Sequence, residues 1–80
     1  MSREDVFIKL NAVFQDVFDD EEINVTETTT ADDIEDWDSL EHISLMAAVE
    51  KEFSIKFSMG QIVSMKNVGE MTDLILSKIS

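Results

Sequence analysis

The chain has 80 residues, 44% of them hydrophobic, with eighteen acids against six Lys/Arg and a formal charge of -12. That length suits a single small domain over residues 1–80, and the apolar share is too high for a disordered acidic tail. Six scattered cations do not make a phosphate-binding patch, so nucleic acid is excluded as a partner and stable insertion into an anionic membrane is not expected.

With no cysteine, disulfides, cysteine-ligated zinc and thiol redox chemistry are ruled out, and a single histidine argues against a multi-histidine metal centre. No signal peptide or membrane span is recognisable, which makes the cytoplasm the expected location. Proline is absent and glycine occurs twice, which favours helices joined by a few loops.

Ser2 to Phe18 reads as the first helix. Ser2 and Asp5 have capping-box spacing. Val6, Leu10, Val13 and Val17 form one apolar stripe, flanked by Phe7, Phe14 and Phe18, as a core-facing helix requires. Asp19-Asp20-Glu21-Glu22 has no apolar face and opens a solvated loop. Neither it nor Asp32-Asp33-Ile34-Glu35-Asp36 fits a calcium loop, because the turn glycine is missing. Residues 21–37 read as one long loop, pinned to the core by Ile23, Val25, Ile34 and Trp37.

Asp38-Ser39-Leu40-Glu41 opens the next helix, which runs to about Glu52 with Asp38 as its cap. Leu40, Ile43 and Ala47 form one stripe, and Leu45, Met46, Val49 and Phe53 form another. Two stripes predict one side packed inward and a smaller side turned to partners. Ser54 breaks the helix and Ile55-Lys56-Phe57 is an extended link. Ser58 and Gln61 cap a short helix ending near Met65. Asn67 and Glu70 repeat that spacing before a last helix carrying Val68, Met71, Leu74, Ile75, Leu76 and Ile79.

Ser39 sits where free helix amides favour an attached phosphate, although Glu35, Asp36, Asp38 and Glu41 oppose a free one. On position alone, an ordinary first-turn serine is the better explanation. A Ser39–His42 hydrolase lacks both an evident oxyanion hole and a G-x-S-x-G turn. His42 is expected at the surface or in a partner contact.

Across nearly its full length the chain resembles the acyl carrier protein family, with the related carrier domains for polyketides and peptides. The resemblance rests on Asp38-Ser39-Leu40-Glu41, the Leu45–Phe53 helix, Ile55-Lys56-Phe57 and Asn67-Val68-Gly69-Glu70. It implies an all-α, small antiparallel four-helix bundle with a long first loop and a short third helix. It also implies a 4′-phosphopantetheine arm on Ser39, donated by coenzyme A through a phosphopantetheinyl transferase that uses magnesium. Such a protein is monomeric and not itself an enzyme: it holds acyl groups as thioesters for acyl-loading and acyl-processing enzymes with basic docking surfaces. Leu40, Glu41, Ile43 and Ala47 would form the partner face. Met46, Val49 and Phe53 would support the core or an acyl chamber.

Trp37, Ser54 and Ser58 depart from common family residues, and His42 and Ser44 make the face less uniformly acidic. These differences leave fatty-acid, polyketide and other acyl pathways open. Two alternatives stand beside that reading: an aminoacyl or peptidyl carrier, and an unmodified acidic adaptor for basic proteins.

Overall fold

The structure is a computed structural model, and it describes residues 1–79. Four α-helices follow in order: α1 (Arg3–Val17), α2 (Ser39–Phe53), α3 (Met59–Ser64) and α4 (Val68–Ile79), with a 3₁₀ turn at Ala31–Asp33 inside the first loop. No strand occurs among the described residues, and none of their helices is long and apolar enough to cross a membrane.

Each helix start is set by a short polar side chain. Ser2 accepts the Asp5 N–H at 3.1 Å while the Asp5 carboxylate accepts the Ser2 N–H at 3.2 Å. That second bond holds the Asp5 carboxyl below its usual range. Asp38 accepts the Glu41 N–H at 2.8 Å, and Ser58 and Gln61 form a second reciprocal box. Asn67 accepts the Glu70 N–H at 2.8 Å. These caps satisfy amides that a helix cannot pair internally. At its other end α2 stops on Ser54, whose φ of 55° is left-handed, a conformation glycine adopts at lower cost.

α1 packs on both α2 and α4. Val6, Leu10 and Phe14 from α1, Leu45, Met46 and Val49 from α2, and Val68, Met71 and Ile75 from α4 are all fully buried. Phe53 joins them, and Leu74, on the apolar side of α4, is half-buried against the cluster. Ile62 is the buried residue of the single-turn-scale α3. Amphipathic faces meeting in one apolar cluster supply the main driving force for this fold.

The first loop is held by side chains that the apolar pattern does not reveal. Asn11, inside α1, accepts the Val25 N–H at 2.6 Å, and Gln15 donates to the Ile23 carbonyl at 2.9 Å. The loop then docks on α4: the Val68 N–H donates to the Thr29 carbonyl and the Gly69 N–H to the Glu27 carbonyl, each at 2.9 Å. Two unpaired amides of the α4 N-terminus are thereby satisfied by loop backbone. Arg3 clamps the seam from outside. It reaches both carboxylate oxygens of Glu27, Asp73 at 2.7 Å and the Gly69 carbonyl at 3.3 Å. Hydrogen bonds to Glu27 and then Asp73 raise the Arg3 pKa above its ordinary value, and the Arg3 bond lowers that of Glu27.

Candidate functional site

Ser39 is the first residue of α2 and is exposed. The cap is made by the neighbouring Asp38 carboxylate, so the Ser39 hydroxyl is not consumed in holding the helix start. Asp38 adopts an extended backbone, and the helix turns away immediately after it. This places the hydroxyl on a shoulder beside the positive end of the α2 dipole.

The shoulder borders a groove of about 620 Å³ between the α2 start and α3. Ser39, Leu40 and Ile43 line one wall, and Ile62, Val63 and Met65 line the other. Lys66 also lines it and is the one lysine or arginine there. Leu40 and Val63 are 80% and 71% exposed, so this apolar surface is presented to solvent rather than folded away.

Trp37 is the anchor the sequence suggested. It is buried, its ring meets Phe14 edge-on with centroids 5.2 Å apart, and it stacks on His42 at 5.8 Å. His42 differs from expectation. It is half-buried, and both ring nitrogens are used: Nδ1 accepts the Trp37 indole N–H at 3.0 Å, and Nε2 lies 2.8 Å from the Ile62 carbonyl. Indole is a donor only, so Nδ1 must be unprotonated and Nε2–H donates to the carbonyl. A histidine so engaged is not available as a base for Ser39, which removes the hydrolase reading on geometry.

The predicted partner residues differ in exposure. Leu40, Ile43 and Ala47 are exposed along α2, and Glu41 is half-buried beside them. Met46, Val49 and Phe53 lie in the packed core instead. The described residues hold no cluster of His, Asp or Glu arranged to bind a metal ion.

The phosphopantetheine attachment site family matches residues 9–75. The chain belongs to that family. It is 32% identical over 80 residues to the acyl carrier protein of Coprothermobacter proteolyticus, across 99% of this chain and 96% of that protein. Its fold is similar to the solution structure of holo acyl carrier protein from Geobacter metallireducens, with TM-score 0.86 and 40% identity over 92% of this chain and 85% of that one. As an acyl carrier protein family member it is a non-catalytic carrier with a phosphopantetheine attachment domain. The residues present suit such a group: an exposed hydroxyl outside the cap, a helix N-terminus and Lys66 to face a phosphodiester, and a groove beside them.

Proposed function

We propose that Ser39 carries the 4′-phosphopantetheine arm and that the protein ferries acyl groups between separate enzymes of a fatty-acid, polyketide or other acyl pathway. The observation that carries this reading is the exposed Ser39, one residue after a cap that does not need its hydroxyl, inside the matched family region. The arm supplies the thiol that a cysteine-free chain lacks, and acyl groups ride on it as thioesters. The chain's own residues do the rest. Asp38 fixes the turn, the α2 amides and Lys66 offset the phosphodiester charge, and tethering raises the local concentration of cargo at each partner. We take it to act as a cytoplasmic monomer.

Incubation with coenzyme A, magnesium and a phosphopantetheinyl transferase is expected to add one arm, read by intact mass and mapped to Ser39. Ser39→Ala is expected to abolish loading while leaving the melt close to wild type, because Asp38 makes the cap. A folded wild-type protein that several competent transferases leave unmodified would instead be the acidic adaptor.

Leu40, Glu41, Ile43 and Ala47 form the partner face in this reading. The net charge of -12 favours enzymes with basic docking surfaces. Glu41→Lys is expected to slow association at low salt, with the difference shrinking as salt screens it. Ile43→Asp is expected to speed dissociation, because it places a charge in the apolar contact. Stopped-flow association and dissociation with a processing enzyme check both, and unchanged kinetics for the two variants would move the interface elsewhere.

A further inference from the structure

Ser39 lies inside a closed stretch of chain. The Trp37 indole N–H donates to His42 Nδ1 at 3.0 Å, and within that span the Asp38 carboxylate accepts the Glu41 N–H at 2.8 Å. The inner bond is the helix cap. The outer one is a side-chain staple joining the turn before Ser39 to the first turn of α2. Both of its ends are anchored. Trp37 is buried against Phe14 and Phe18 and stacks on the imidazole, while His42 Nε2–H donates to the Ile62 carbonyl at 2.8 Å. The staple has one chemical requirement. An indole only donates, so His42 must offer a bare Nδ1, and with Nε2–H committed to Ile62 only the neutral ring satisfies both bonds. A protonated ring carries a hydrogen on each nitrogen. It keeps the bond to Ile62 but sets two N–H donors against each other where the staple was, leaving the part-buried indole N–H without a partner.

We propose that the Trp37–His42 bond is a proton-sensitive staple: with His42 neutral it fixes the turn that presents Ser39, and proton uptake by His42 opens it and frees the Trp37 side of that turn. The consequence for Ser39 rests on that residue carrying the arm. Histidine is the side chain whose charge ordinarily changes between about pH 5 and 8, so the switch needs no extreme of acidity. Several charges surround the ring. Asp38 at the α2 start and Lys66 between α3 and α4 line the same groove as His42. Glu41 precedes His42 in α2, and Glu35 and Asp36 precede Trp37 in the loop. α1 meets Trp37 through Phe14 and Phe18, α3 meets His42 through Ile62, and α4 brings Met71 to the groove, all uncharged. The surrounding charges act on the ring whether or not an indole faces it, whereas the donor clash exists only with the indole in place. His42 is thus a positioning residue, acting on Ser39 through Trp37 and the turn.

The test titrates the full chain from about pH 8 to about pH 5.5. NMR signals of the His42 ring carbons give the protonated fraction, and the Trp37 indole N–H gives the staple through its shift and its protection from hydrogen exchange, corrected for the intrinsic rate. The two are expected to move together, half of the indoles being released when half of the rings are protonated. Full indole protection beside a protonated His42 would overturn the proposal, and that result stands whether or not any variant folds. His42→Gln, whose carboxamide offers an acceptor and a donor without titrating, is expected to keep the indole protected throughout. Loading by a phosphopantetheinyl transferase with coenzyme A and magnesium is then followed by intact mass. The ratio of wild type to His42→Gln at each pH cancels the pH dependence of the transferase. Where nine-tenths of the rings are protonated, that ratio is expected to fall about tenfold, since only the stapled tenth presents the turn. Trp37→Phe keeps an aromatic ring and the titrating histidine but has no indole donor, so its ratio to His42→Gln is expected to stay flat. A flat ratio for wild type, or a wild-type fall retained in Trp37→Phe, would overturn the positioning of Ser39 by the staple. No loading of any of these proteins at any pH overturns the attachment reading itself, while the indole titration still decides whether the staple opens.

Discussion

Phe14→Ala is expected to lower stability by about 3–5 kcal/mol, since truncating a buried phenylalanine removes its transfer energy and leaves a cavity. That is a large part of what a small domain has, on the order of 5–15 kcal/mol in total. The ring is 0% exposed and touches two other aromatics, Trp37 edge-on at 5.2 Å and Phe18 at 6.0 Å. Its loss therefore reaches beyond α1. It removes the support under Trp37, and with it the rigidity of the Trp37–His42 link beside the groove. Urea titration followed by far-ultraviolet circular dichroism gives the stability change. Fluorescence of Trp37, the single tryptophan, reports the local loosening. Moderate salt should raise the midpoints of both proteins by screening repulsion among the eighteen acids, leaving their difference nearly intact. A wild-type midpoint for Phe14→Ala at both salt concentrations would show that this ring does not anchor the core.

Much of this architecture is written locally in the chain. Ser2 with Asp5, Asp38 before Glu41, and Ser58 with Gln61 mark helix starts because capping is a contact between residues three apart. The stripes Val6–Leu10–Phe14 and Leu45–Met46–Val49 mark buried faces because helical period places them together. Ser39 was legible as a position, at the start of a capped helix, and as a modification site only through resemblance to a family. What could not be read are contacts between residues far apart in sequence. Nothing near His42 indicates that a carbonyl twenty positions later accepts its proton. The apolar stripes likewise hide that Asn11 and Gln15 hold the loop backbone. Polar side chains at the margin of a buried stripe are the one local signal of such contacts. Leu74 is a milder case: it lies on the apolar side of α4 and packs against the core cluster, yet it stays half-buried.

Gly69→Ala is expected to destabilise the fold by about 2–3 kcal/mol, the usual scale for forcing extra atoms into a packed contact. Glycine is not required here for a left-handed backbone, since neither glycine has positive φ. It is required for space. A Cβ at Gly69 would lie 2.6 Å from the Glu27 backbone oxygen and 3.2 Å from Asn67 Oδ1. The Glu27 oxygen is the acceptor of the Gly69 N–H at 2.9 Å, so it cannot retreat without breaking the seam between the first loop and α4. Alanine's better helix propensity returns roughly 1 kcal/mol and does not offset this. The ionic part of the same seam separates by pH. The Glu27 carboxyl is held below its ordinary pKa by the Arg3 hydrogen bond, so its contribution is present above the unfolded carboxylate pKa and fades as pH falls through the lowered folded value. The midpoint difference between wild type and Glu27→Gln should therefore shrink on acidification, whereas the Gly69→Ala difference, being steric, should persist. Thermal melts of the three proteins at neutral pH and at progressively lower pH distinguish the two. A Gly69→Ala protein as stable as wild type would mean that the loop carbonyl yields freely and that the seam does not hold the first loop on α4.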